Sequence, residues 1–598
     1  MKKWLILFLL FVNFTYLFGV KIITTSNDSL TGTFLSINAY QLFFKIENKV
    51  NKLPINEIKT IEFTPTEKSN MFFSLKNYYT FKGYLEKIEK DYFIFKDSNI
   101  LFKIYKSDLK IAVSKNRVTT NRISTKFGNF HFSPIEIISD KFWKIKTEYG
   151  EMILPSIVIE SSFRPNISSE NKNILYLNNG DYFFYDTVNL KNSLFDFFIY
   201  NFYIQIPKEK ILFLKNHSYI PKKVKSNKLY RLNINDKDYY IDDFDIKENK
   251  IYIENKIIET PKIKFLSQAI LNLYIINDIF YSGVSANNNS LFISGYSKKL
   301  YKLDLINGIK NIYDLNSYSY DFPVIYNNKI FLSGFRNNLI VINNEKSLKE
   351  FNVGELYSGV TILNKDKYLM HLWSDKLLVF NSKNETINSF KIKTSKRSPL
   401  IDYENNIIDL DIFGNLYKFD NNLNPIFHIS LNGKTDYFNI DTKNNIYISG
   451  PDNKFTILDK NGNLLFSYNL DDIPYSFPLI DEFENTIYIA LKNKFLYALN
   501  NGEILWKTYV GYAPGTGVLT KKYIILTTLN HNIIFVNKEN GKIEKEYKLG
   551  YSTNLSMDEN GFLYSASSKG VVSIIDVNDK VVNQYKFNAQ HTGNPNIK

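Results

Sequence analysis

No cysteine occurs anywhere in the 598 residues. That excludes disulfides, thiolate metal sites and cysteine nucleophiles together, and it removes the acceptor that would tether a bacterial lipoprotein. Histidine is nearly as scarce: His131, His217, His371, His428, His531 and His591 are scattered, with no two at metal-ligand spacing, and each reads as structural. No apolar stretch beyond the N-terminus is long enough for a membrane helix; the nearest, 194–206, is interrupted by Asp196 and Asn201. A GxSxG elbow, a Walker loop and a dinucleotide fingerprint are also missing. The stretch Ala513-Pro514-Gly515-Thr516-Gly517 has no serine to act as a nucleophile, so its glycines read as a turn between repeats. The sequence therefore assigns no catalytic, cofactor-binding or metal-binding residue.

At the N-terminus, Lys2 and Lys3 precede an apolar run over 4–18 and then Gly19. This pattern predicts an export signal at 1–19, a retained anchor being the alternative. The mature chain is then soluble and exported, in the periplasm or, alternatively, on the cell surface. The net charge of +14 is uneven: residues 20–267 hold 38 basic and 28 acidic residues, residues 268–598 hold 34 and 32. A basic first half suits an anionic membrane surface, an acidic glycan or an acidic protein face. No basic and aromatic cluster points to nucleic acid.

Residues 268–598 carry a repeat. Short apolar segments ending in Asp or Asn recur at Asp304, Asn343, Asn381, Asp420, Asp459, Asn500, Asn537 and Asp576, spaced by 37 to 41 positions. An aromatic-bearing strand precedes most copies, as in Ile487-Tyr488-Ile489. A turn follows, with glycine at Gly308, Gly462, Gly502 and Gly541, and then a further strand such as 504–509. Four strands in about 39 residues is the arithmetic of a propeller blade, and eight copies predict an eight-bladed β-propeller. Asp304, Asp420, Asp459 and Asp576 could be imagined as an acidic ring. Their exchange for Asn in the other copies favours turn capping, which either residue serves.

Residues 20–267 show a second period. A motif with Pro54, Tyr105, Pro155, Pro207 and Pro261 in register recurs at steps of 50 to 54, and turn segments such as 26–32 and Asn179-Gly180-Asp181 lie upstream. Five small, strongly bent β units are expected, with proline at a strand edge where its missing donor does no harm. An irregular β-sandwich pair is the alternative. These units resemble the tandem SH3-like or Sm-like barrels of bacterial envelope proteins.

The stretch 477–506, with Phe477-Pro478-Leu479-Ile480-Asp481, Phe495-Leu496-Tyr497-Ala498-Leu499-Asn500, Gly502 and Trp506, resembles the repeat of PQQ-like β-propellers. That quinoprotein-like family includes the BamB-type outer-membrane assembly factors. The tail 587–593 resembles a segment found where such propellers begin or close. The family's enzymes use tryptophan-rich blades, calcium and a vicinal disulfide; with no Cys and Trp506 alone at the blade position, no cofactor is expected here. The resemblance thus implies a non-catalytic scaffold that binds envelope proteins, most concretely in outer-membrane protein assembly. The competing readings are a surface adhesin or glycan-binding protein, and, disfavoured, an enzyme working at the propeller axis.

Overall fold

A computed structural model of the chain describes residues 19–160 as strands, with most connecting segments and side chains left aside, and residues 168–597 apart from short turns and 589–593. Of the expected export signal at 1–19, residues 1–18 lie outside the described residues, as do His531 and His591. Among the described residues the fold is all-β, with short 3₁₀ turns such as Lys208–Lys210. It divides into two compact units, 1–166 and 167–598.

Five times between residues 19 and 268 the same strand order appears. In the first copy the fifth strand, Ile58–Phe63, pairs with the first, Gly19–Thr24, and the first, second, third and fourth then pair in sequence. The order returns in 71–114. It returns again, with the second strand broken in two, in 122–160, 173–215 and 230–268. The fifth strands begin at Ile58, Leu109, Ile159, Ile211 and Ile263. Pro54 and Pro155 end fourth strands that pair on one side only, so the lost N–H breaks no ladder. The flagged turn segments share one geometry: the amide of Thr24 bonds the Asp28 carbonyl, and that of Leu177 bonds the Asp181 carbonyl.

From residue 284 eight antiparallel sheets follow one another, at 284–314, 324–352, 361–391, 400–430, 437–469, 479–509, 518–547 and 556–576. The first seven are four-strand meanders, the layout of propeller blades. The Asp- and Asn-terminated segments form the third strands of the sheets: six of the eight terminal residues are the last of their strand, and Asp420 and Asp459 follow theirs directly. The eighth sheet has only three consecutive strands and takes its fourth, Ile270–Ile275, from before the first sheet; Ile275 lies opposite Val571. Strand alternation sends one set of side chains to each neighbouring sheet. Phe331 packs with Tyr368 of the third sheet, while Ile330 and Leu332 pack with Phe292 and Leu300 of the first. The seam between the eighth and first sheets is built alike, from Leu271, Tyr274 and Tyr564 against Leu291 and Ile293. Each buried side chain of this size contributes about 1.5–3 kcal/mol, so the seams, not the hairpins, carry the stability.

A second contact recurs along the rim. A donor on the outer strand bonds a carbonyl in the turn after the next sheet's third strand: Trp506 Nε1 to Lys538 at 3.0 Å, the Tyr313 hydroxyl to Glu345 at 2.9 Å, and Asn388 Nδ2 to Asn422 at 2.6 Å. Tyr274, on the borrowed strand, bonds the Asp304 carbonyl at 3.1 Å in the same way. Any donor of the right reach serves, which explains why tryptophan stands at this position only once.

The second unit, 167–598, joins the fourth and fifth N-terminal repeats to the sheets that follow. The physical reason is a shared core: Ile174, Tyr176, Phe213 and Phe265 pack with Val518, Phe535, Met557 and Ile575 of the seventh and eighth sheets. Arg231 reaches the same region and pairs with Asp576, both side chains being almost completely buried.

Candidate functional site

The three histidines whose side chains are described do not converge. His217 is exposed, its Nδ1 at 2.9 Å from Asn173 Oδ1, and His428 stacks on Tyr417 with ring centres 4.5 Å apart. His371 is buried and meets Asp409 across the seam between the third and fourth sheets. Among the described residues no group of three His, Asp or Glu side chains could hold a metal ion.

The aspartates flagged as turn caps have unequal roles. Asp420 Oδ1 accepts the amides of Asn422 and Asn424, and its Oδ2 accepts Asn424 Nδ2; Asp459 does the same with Asn461 and Asn463. Asp402, Asp411 and Asp441 close identical loops, so the pattern is Asp-x-x-x-Asn with a left-handed fourth residue, where Gly462 has φ 87°. Asp304 instead pairs with Lys310 at 3.0 Å, and Asp576 adds its bond to Arg231 to the capping of Asn578. Gly517 permits close packing between sheets: a Cβ there would lie 2.6 Å from Leu526 and 3.0 Å from Leu479.

Two surfaces can contact other molecules. One lies where the inner strands meet, and it is filled by the chain's own C-terminus. Val581–Gln584 adds a fifth strand to the seventh sheet beside its inner strand, Val518–Thr520. Gln584 then bonds both the amide and the carbonyl of Met557, at 3.0 and 2.9 Å. Asn583 Oδ1 accepts Asn439 Nδ2 at 3.1 Å. Lys586 Nζ reaches Asp321 Oδ2 at 3.3 Å and the Val360 carbonyl at 3.2 Å. Asn594 Nδ2 donates to the carbonyls of Ile362 and Leu363 at 3.1 and 2.8 Å, and Asn596 Nδ2 to that of Asp402 at 2.9 Å. Phe587 and Ile597 pack against the ends of two seams. Burial works to raise the Asp321 pKa, but the Lys586 ammonium, the Phe322 amide and the Ser398 hydroxyl outweigh it and hold the carboxyl below its usual value.

The other surface is the outer edge of the fifth sheet. Leu464–Asn469 pairs only with Lys454–Leu458, so its far side presents unpaired backbone groups. Leu464 and Leu465 are 63% and 54% exposed, and the strand contains no Lys, Arg, Asp, Glu, His or Pro. Free edges are normally blunted by charge or proline. The outer strands of the other early sheets follow that rule, with Lys310, Lys349, Lys391, Pro425 and Glu503. Ile270–Ile275 is equally neutral but buried throughout.

No protein-family model matches the chain, and no curated protein does. Among solved structures it is similar to Sqt1 of Saccharomyces cerevisiae, at 8% identity and a TM-score of 0.45, over 53% of this chain and 99% of that one. It is also similar to the computationally designed Ika8 protein, at 10% and 0.44 over 51% and 98%, and to BamB from Moraxella catarrhalis, at 15% and 0.32 over 56% and 93%.

A polar cleft of about 680 Å³ opens beside the seventh sheet, lined by Lys228, Asp242, Lys522, Glu544, Lys545 and Asp576. Four of its charges pair with one another, Lys228 with Asp242 at 2.6 Å and Lys522 with Glu544 at 2.9 Å, while Lys545 lies over the Tyr523 ring, 5.5 Å from its centre. Hydrogen bonds from Asn537 and Lys522 hold Glu544 at about 2 instead of 4.5. A carboxyl depressed in the folded state supports folding above its ordinary pKa and loses that support as the pH falls. Between pH 4.5 and 2, therefore, Glu544→Gln is expected to flatten the acid limb of the urea-unfolding midpoint. The difference is held to about 1 kcal/mol by solvent screening.

The sequence alone gave no sign of either surface. Lys586 and Asn594 sit in a tail without periodicity, and the neutral edge is legible only once its strand is known to be outermost.

Proposed function

We propose that this chain is a non-catalytic, exported scaffold that binds an envelope protein by strand addition at Leu464–Asn469, and that it serves outer-membrane protein assembly. In this reading 268–598 is a closed eight-bladed propeller and 20–267 holds five SH3-like barrels. The seam between the eighth and first sheets and the recurring fifth-first-second-third-fourth strand order support that architecture. The N-terminal segment 1–19, with its lysines and apolar run, supports export.

The single observation that carries the binding role is the neutral, exposed edge. Unpaired N–H and C=O groups on an apolar strand are complementary to another extended chain, whose alternate apolar side chains then cover Leu464 and Leu465. The test is Leu465→Lys in the cell of origin, with the outer-membrane proteome measured beside that of a strain depleted of the protein. The expected outcome is that depletion lowers a set of outer-membrane proteins and that the lysine variant, at normal abundance, fails to restore them. An unchanged proteome on depletion would overturn the role in assembly.

A further inference from the structure

The end of the inner strands where the tail is held has a definite chemistry. The groups it turns toward Lys586, Asn594 and Asn596 are acceptors: the Asp321 carboxylate and the carbonyls of Val360, Ile362, Leu363 and Asp402. They come from three successive sheets, so no single hairpin could satisfy them. Lys586 is fully buried and Asn594 nearly so, at 0% and 1% exposure. Emptied of the tail, this surface would cost the buried Asp321 carboxylate its ammonium partner and the carbonyls of Val360, Ile362 and Leu363 a side-chain donor, a loss that selects a donor-bearing ligand. Phe587, edge-on to Tyr403 with ring centres 6.3 Å apart, and Ile597 show that it also takes apolar anchors. Among its described residues the tail also bonds to itself, the Asn588 amide to the Lys586 carbonyl at 2.8 Å, the Ile597 amide to that of Asn594 at 3.3 Å and Asn588 Nδ2 to that of Ile597 at 3.3 Å.

We propose that this acceptor-lined end is a peptide-recognition site for a segment of a partner protein carrying a lysine, amide side chains and an apolar anchor, and that residues 586–588 and 594–597 are its resident occupants. A partner segment of that chemistry gains the site by displacing the tail. This claim concerns a different surface from the fifth-sheet edge, so either can fail while the other stands.

The test uses the full chain with Lys586→Met, Asn594→Ala and Asn596→Ala, which weakens the tail's hold, and a fluorescent synthetic peptide of sequence 585–598. The variant chain is expected to bind this peptide at least about tenfold more tightly than the wild-type chain, whose own tail competes. A peptide bearing the same three substitutions is expected to bind at least about tenfold more weakly than the natural one. Equal binding of the two peptides, or none by a variant that keeps the wild-type circular dichroism spectrum, would overturn the proposal. Should the variant fail to fold, a protease site placed at position 585 of the full chain allows cleavage after folding. The cut tail is then expected to stay bound and to exchange with added peptide; release without recapture would overturn the proposal.

Discussion

Asp576→Ala is expected to destabilise the protein by about 3–5 kcal/mol, the cost of leaving a buried charge without its partner. Arg231 and Asp576 are 4% and 1% exposed, so neither can turn to water when the other is lost. The carboxylate also accepts the amides of Ser226 and Asn578, at 3.2 and 3.0 Å, and both are orphaned with it. Because Arg231 lies in the fifth N-terminal repeat and Asp576 in the eighth sheet, the damage falls on the seam that joins them. Urea unfolding reads the loss. Replacing the pair by Met and Leu is expected to recover most of it, since apolar residues of similar volume carry no desolvation cost.

Asp402→Ala is expected to cost a similar ~3–5 kcal/mol, and Asp459→Ala far less. The two residues close the same loop, Asp402 with the amides of Glu404 and Asn406 and Asp459 with those of Asn461 and Asn463. They differ in what else they hold. Asp402 is paired with Lys418 at 3.0 Å, the two side chains 1% and 4% exposed, whereas Asp459 faces solvent. Equal costs for the two substitutions, measured by urea unfolding, would show that the loop and not the ion pair sets the penalty.

That contrast marks how far the residues speak before the fold is known. Turn chemistry is local, so the Asp and Asn ends of the third strands, the glycine turns and the Asn179-Gly180-Asp181 hairpin are readable from neighbouring residues alone. Pairing across long separations is not. Nothing near Ile270–Ile275 says that it completes the last sheet, and Val581–Gln584 has the same local look as an outer strand yet lies beside an inner one. The same holds for Lys418 and Arg231, each buried against a carboxylate distant in the sequence, Asp402 and Asp576. Trp506 misleads in the other direction: a single tryptophan suggests one sound blade among degenerate copies, whereas tyrosine and asparagine make the same rim contact elsewhere.

The scaffold role depends on one strand edge being used. A photo-crosslinking amino acid placed at Leu465, in the living cell, tests that use directly, with a second copy at the buried Leu499 as reference. The expected result is one reproducible crosslinked envelope protein from position 465, absent from position 499 and lost when Leu464 is changed to lysine. No crosslink from position 465 in cells that contain the folded protein, or the same product from both positions, would contradict it.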